Sequence, residues 1–189
     1  MKKTAVREAS VIHLRKSDTV NAVYDWVSSF VFATALVIVI LTFFIRIVDI
    51  DGRSMMPTLF DKEKVVITNI VSTPENGDIV IISHGAEYEK PLVKRVIATQ
   101  GQKLSIDFDK NTVTVDGKVL SEPYIRGKTT MEDGEIPSVI PKGKVFVMGD
   151  NREESSDSRG TRIGLIDEKN IIGKVRCVVY PFNEFRFVK

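Results

Sequence analysis

A lysine inside a β-branched run is the first residue whose type and setting could do chemistry. Lys94 sits in Leu92-Val93-Lys94-Arg95-Val96-Ile97. Strand alternation puts it on the face of Leu92 and Val96 and turns Arg95 the other way, with Val93 and Ile97. A lysine on an apolar face either snorkels to an edge or is buried. If it is buried, desolvation lowers its pKa, by roughly 3–5 units in extreme cases. A neutral amine can then take the proton of a serine hydroxyl, which is the Ser–Lys form of nucleophilic catalysis.

Two other segments stand apart from ordinary scaffold. Asp51-Gly52-Arg53-Ser54-Met55-Met56-Pro57-Thr58-Leu59 holds two methionines beside a glycine and a proline. Gly52, two residues before Ser54, permits close backbone approach and an unusual φ; the plain alternative is a turn joining two elements. The run Gly149-Asp150-Asn151-Arg152-Glu153-Glu154-Ser155-Ser156-Asp157-Ser158-Arg159-Gly160 is by default a solvated loop. Its density of Asp, Asn, Arg and Ser also suits a hydrogen-bonded network.

The remaining reactive types offer less. Cys177 is the one cysteine, so no intramolecular disulfide forms, and within Val175-Arg176-Cys177-Val178-Val179 it reads as a small buried hydrophobe. His13 and His84 are the two histidines. Without clustered His, Asp and Glu a zinc site is not expected; His84, in Ser83-His84-Gly85, reads as a solvated loop residue. Lys+Arg 27 against Asp+Glu 25 leaves a net charge of +2. That balance, with no basic stripe, argues against nucleic acid as a partner.

These residues need elements to hold them. Residues 26–45, from Trp26 to Ile45, carry no charged side chain. About 20 such residues cross a hydrocarbon core of roughly 30 Å. Trp26 and Arg46 suit the two interfaces, and the hydroxyls of Ser28, Ser29, Thr34 and Thr42 can bond back to helix carbonyls. The span is longer than the roughly 7–15 apolar residues of a cleaved signal peptide. Lys2, Lys3, Arg7, Arg15 and Lys16 precede it, so the N-terminus is expected in the cytoplasm and the rest outside. The expected layout is a cytoplasmic segment 1–25, a transmembrane anchor 26–48 and an extracytoplasmic domain 49–189.

The outer domain reads as mostly β, a bent sheet or barrel-like sandwich. Residues 64–68, 78–82, 92–97, 144–148 and 173–180 read as strands. Residues 111–120 read as a hairpin on the Asp116-Gly117 turn. Only Asp167-Glu168-Lys169-Asn170 suggests a helical turn.

Taken together and in order, the segments resemble bacterial type I signal peptidases, in the short single-anchor form of Gram-positive bacteria. Gly52 to Leu59 looks like that family's nucleophile box, Gly77-Asp78-Ile79-Val80 like its next strand, Lys94-Arg95-Val96-Ile97 like its base box, and Gly149 to Arg159 like its last box. The resemblance implies that Ser54 is the nucleophile and Lys94 the general base. Ser155 would orient the Lys94 amine, Asp157 and Arg159 would pair, and Asp150 and Arg152 would support that loop. It implies an oxyanion held by the Ser54 backbone N–H. Gly52 stands where some relatives have a serine that helps. The base box departs from the family pattern at Ala98-Thr99-Gln100-Gly101-Gln102, and the large extra β-domain of Gram-negative relatives is not expected.

The implied substrates are signal peptides of exported preproteins, cleaved without metal or organic cofactor at the cell membrane, near the secretion translocon. An extended peptide with small residues at −1 and −3 would add to a sheet edge, over pockets built from Ile50, Gly52, Met55, Leu59 and Val93. Only residues 46–53 separate Ile45 from Ser54. At roughly 3.3–3.6 Å each, they would keep the serine near the bilayer surface. Two other readings are a cytosolic Ser–Lys self-cleaving repressor, which the apolar span argues against, and a non-enzymatic β-domain serving as a binding module. The joint presence of Ser54, Lys94 and the 149–159 loop argues against the second. A catalytically weak paralogue is the third, raised by the departures at 98–102.

Overall fold

The computed structural model describes residues 21–39, 42, 45–68 and 73–188. His13 and most of the 1–25 segment lie outside these. The chain divides into two compact units, Met1–Phe43 and Phe44–Lys189.

In the first unit the structure describes a helix, α1 (Asn21–Val39), long and apolar enough to cross a membrane. Its described side chains are exposed all round, valines and phenylalanines included. A helix apolar on every face suits a surrounding of lipid. Two of its hydroxyls turn inward as expected: Ser28 Oγ donates to Asp25 O at 3.0 Å and Thr34 Oγ1 to Phe30 O at 2.8 Å. The C-terminal end of the expected 26–48 span differs. Ile45–Asp49 forms strand β1, paired antiparallel with β2 (Lys64–Thr68). Three apolar residues around one arginine cannot by themselves distinguish helix from strand. Here the backbone groups of β1 find partners on Val65 and its neighbours, and Val48 packs on the core.

The second unit is built from antiparallel strands. After β1 and β2 come β3 (Ile79–Ile82), β4 (Leu92–Thr99), β5 (Leu104–Asp107), β6 (Thr112–Val115), β7 (Lys118–Val119), β8 (Lys144–Met148), β9 (Ile166–Asp167), β10 (Ile171–Tyr180) and β11 (Arg186–Phe187). The main sheet runs β1-β2-β10-β3-β4-β8-β9, with β11 also on β10; β5-β6-β7 form a small second sheet. Register shifts interrupt β10 against both β2 and β3, and β4 against β8. Such bulges bend strands and increase twist, so the main sheet curls into a half-barrel. The β6–β7 hairpin closes on Asp116 and Gly117 at φ 50 and 79, the mirror-image turn the sequence predicts. A 3-10 turn, Glu168–Asn170, is the helical element expected there, and a second, Phe182–Glu184, follows β10 without a signal in the sequence.

The central strands of the curled sheet are buried on both faces. β3 alternates, with Ile79 and Ile81 in one cluster and Val80 and Ile82 in another. A third cluster, including Leu104, Val113 and Phe146, lies beneath the small sheet. Cys177 is buried in β10, as a small hydrophobe.

Candidate active site

The segment after β1 folds into a compact irregular turn that includes a cis Met56–Pro57 bond. Met56 N donates to Arg53 O at 3.1 Å and Leu59 N to Met55 O at 2.9 Å. Met55 and Leu59 are both fully buried in the cluster under β2 and β10. They moor the turn and leave Ser54, between them and the exposed Gly52, half exposed. Gly52 takes φ 95, and its N–H donates to Asp61 Oδ1 at 2.8 Å.

Lys94 meets that turn from β4. Its backbone pairs with Val80, on the face of Leu92 and Val96 that alternation required. Only 3% of the residue is exposed, and its Nζ lies 2.8 Å from Ser54 Oγ. Burial lowers its pKa from 10.5 to about 8; attraction to Asp157 opposes this shift and Arg159 adds to it. The alternative of snorkelling is thereby removed. When the amine loses its proton, the hydrogen bond reverses and the serine hydroxyl donates to Nζ.

The loop after β8 fixes the serine turn from the other side. Asn151 N donates to Ser54 O at 3.0 Å and Asn151 Nδ2 to Arg53 O at 3.1 Å. Gly149 lies so close that a Cβ there would stand 2.2 Å from Ser155 Oγ and 2.5 Å from Ser54 O. Replacing Gly149 by Ala is therefore expected to lower stability by about 1–3 kcal/mol, as overpacking does, and to reduce activity by displacing Ser54. A thermal melt and a cleavage assay on the same preparation check both.

Asp157 organises this loop from beneath. Arg159 reaches it in a fork, Nε to Oδ1 at 2.8 Å and Nη2 to Oδ2 at 2.9 Å, with both side chains fully buried. Asp157 Oδ2 also accepts from Gly149 N and from Ser155 Oγ, each at 2.9 Å. The Ser155 hydroxyl thus spends its described bond on Asp157, two residues away, and not on the Lys94 amine that the resemblance assigns to it. The remaining Arg159 donors serve Thr130 O, Arg152 O and Ser155 O.

Asp150 and Arg152 point into two further networks. Arg95 forks onto Asp150 at 2.8 and 2.7 Å and donates to Gly77 O at 2.8 Å. Its guanidinium stacks 3.9 Å from the centre of the Tyr124 ring. Arg152 bonds Gly149 O at 3.1 Å, Thr129 Oγ1 at 2.8 Å and the Glu122 carboxylate. Arg95, Asn151, Thr58, Glu122 and Thr129 had no role in the sequence reading. Arg95 carried the one usable signal: two adjacent cations in a buried strand cannot share a partner, so the second needed its own acid.

A cleft of about 680 Å³ opens over the Ser54–Lys94 pair, with Ile50, Gly52, Met55 and Val93 among its walls. Leu59 is not one of them. It is wholly enclosed in the core, in the same cluster as Val65, Ile67 and Val178. His84 is exposed and bonds Ser83 and Asn170, apart from the serine. Among the described residues no group of His, Cys, Asp and Glu is placed to hold a metal ion.

The family model described as signal peptidase, peptidase S26, matches residues 23–180. Signal peptidase I of Bacillus licheniformis is 37% identical over 179 residues, covering 88% of this chain and 93% of its own. Signal peptidase I T of Bacillus subtilis (strain 168) is 37% identical over 180 residues, covering 89% and 91%. Signal peptidase IB of Staphylococcus aureus (strain MRSA252) is 36% identical over 183 residues, covering 86% and 92%. A crystal structure of a signal peptidase I from Enterococcus faecalis V583 aligns with a TM-score of 0.48 and 24% identity, over 55% of this chain and 97% of that one.

Proposed function

This chain belongs to the signal peptidase family, peptidase S26, and on that premise we propose that it removes signal peptides by a Ser54–Lys94 dyad, at the outer surface of a membrane into which α1 inserts. The observation that carries the proposal is the 2.8 Å approach of a buried Lys94 Nζ to Ser54 Oγ. Neutral Lys94 takes the Ser54 proton as Oγ attacks the scissile carbonyl. The new ammonium then protonates the leaving amine, and the same amine activates the water that releases the acyl group. Among the described hydrogen bonds the Ser54 N–H has no internal acceptor, so it is available to the oxyanion. Gly52 cannot supply a second donor through its side chain, and its N–H is engaged by Asp61.

The supporting groups have positional roles. Asp157 holds Gly149, Ser155 and Arg159 together, and through Gly149 and Asn151 that loop sets where Ser54 stands. The substrate would lie extended along the cleft, with its small −1 and −3 residues over Ile50, Met55 and Val93. The basic residues before α1 favour an N-terminus in the cytoplasm. A substrate anchored in the same bilayer, arriving from the translocon, then meets the serine close to the surface.

The pKa of the base sets the test. The dyad needs Lys94 neutral, and its pKa is lowered to about 8. Activity is therefore low while Lys94 is charged and rises as pH passes upward through about 8. An ordinary lysine would delay that rise to about pH 10.4. A profile of kcat/KM against pH, taken on full-length enzyme with a signal-peptide substrate, is expected to show this limb. A rate unchanged between pH 7 and 9 would count against Lys94 as the base.

A further inference from the structure

We propose that the C-terminal strand belongs to the active-site scaffold, with Arg186 positioning the nucleophile turn. That turn is held at its start by Asn151, as described above. Its far end is held through Thr58, whose hydroxyl donates to Asp150 Oδ2 and whose carbonyl accepts from Arg186 Nη2 at 2.9 Å. The same guanidinium forks onto Glu63, Nη1 to Oε1 and Nη2 to Oε2, each at 2.8 Å. Glu63 is buried at 3% exposure and in turn accepts from Phe60 N at 2.9 Å. Arg186 thus fixes the residues just beyond the turn as well as its last carbonyl.

The arrangement reaches the base as well. Asp150, which takes the Thr58 hydroxyl, is also the partner of Arg95, the residue after Lys94. Thr58 therefore stands between the strand that carries the base and the strand that ends the chain. The register of β11 on β10, Val178 opposite Arg186 and Cys177 opposite Phe187, delivers the guanidinium to this point. Arg186 lies beyond the 23–180 stretch that the family model covers. Without it, a buried carboxylate loses its cation and Thr58 O its donor, and the turn is free to shift Ser54 relative to Lys94.

The test uses detergent-solubilised full-length protein and a peptide spanning a signal-peptide cleavage site. Arg186→Lys keeps a positive charge by Glu63 but cannot reproduce the fork and the bond to Thr58 O together. Small misplacements of reacting groups cost up to about a hundredfold in rate, so kcat is expected to fall about tenfold with KM within about twofold. Arg186→Ala is expected to lose more. Phe187→Ser, which alters an exposed side chain of the same strand, is expected to retain parental kcat. Parental kcat in Arg186→Lys, or a loss confined to KM or equal to that of Phe187→Ser, would overturn the proposal. If Arg186→Ala does not fold, the lysine variant decides. The inference rests on Ser54 being the nucleophile. Ser54→Ala measured alongside separates the two, since activity retained there refutes the dyad itself, whereas parental kcat in Arg186→Lys refutes only the role of the tail.

Discussion

Lys94→Met is expected to reduce signal-peptide removal by about ten-thousandfold, the scale seen when one member of a catalytic unit is lost, while the protein unfolds at the parental temperature or above it. The first half follows from the dyad: without the amine, none of the described hydrogen bonds offers the Ser54 hydroxyl another base, and His84 and Cys177 lie elsewhere. The second half follows from linkage. The folded-state pKa of Lys94 is about 8, below the 10.5 of the free side chain. Between those values the unfolded chain binds more protons, so stability rises with pH from about 8 to about 10.5. Below pH 8 the full penalty of holding a buried ammonium is present. Methionine has a similar length and no charge, so it removes that penalty without opening a cavity. Asp157 keeps its partner, because Arg159 already holds both of its oxygens. Activity measured at pH 7.5 beside a thermal melt at the same pH tests the pair of outcomes. A variant that loses activity only in step with a lowered Tm would show that Lys94 is structural.

Arg159→Ala is expected to be the most destabilising single change in the site region, at about 3–5 kcal/mol. The guanidinium is fully buried, and its removal strands a fully buried Asp157 carboxylate. It also takes donors from Thr130 O, Arg152 O and Ser155 O. For a unit of this size the loss corresponds to a fall in Tm on the order of 10 °C. Lys62, whose amine meets Asp51 in solvent, provides the contrast: Lys62→Ala leaves Tm unchanged within error, as exposed pairs generally do. Melts of the three proteins, followed by circular dichroism, decide the matter. A shift for Arg159→Ala no larger than that for Lys62→Ala would mean that the Asp157–Arg159 pair does not hold the loop.

What could be read from the sequence divides by range. β2, β3, β4, β8 and β10 announce themselves because β-branched residues recur in each, and in β3, β4 and β8 both sheet faces are buried. The β6–β7 hairpin is legible because Asp-Gly has few other uses between alternating residues. Lys94 is legible for a related reason, since alternation alone puts it against Leu92 and Val96. The boundary between anchor and sheet is not legible. Ile45, Ile47 and Val48 are apolar in either state, and only pairing with β2 decides between them. β5, β9 and β11 are too short or too polar to stand out, and they exist because a neighbouring strand fixes their register. The order of the boxes points to the candidate site, but its networks are non-local. Arg95 and Asp150 are 55 residues apart, and Arg186 and Glu63 are 123 apart. No local pattern reports such pairs. Leu59 was misassigned to the pocket for the same kind of reason: an apolar residue near a nucleophile is equally suited to a pocket wall and to the core.

The proposed roles of Ser54 and Lys94 meet their most direct test in an acyl-enzyme trap. Full-length protein in detergent is treated at pH 8.5 with a serine-directed acylating inhibitor, and the modified residue is identified by mass spectrometry of its peptides. The dyad predicts one added acyl group on Ser54, with loss of cleavage in proportion, and no measurable labelling of Lys94→Met under the same conditions. Labelling at another residue with loss of cleavage, or labelling of Ser54 at an equal rate in Lys94→Met, would contradict it.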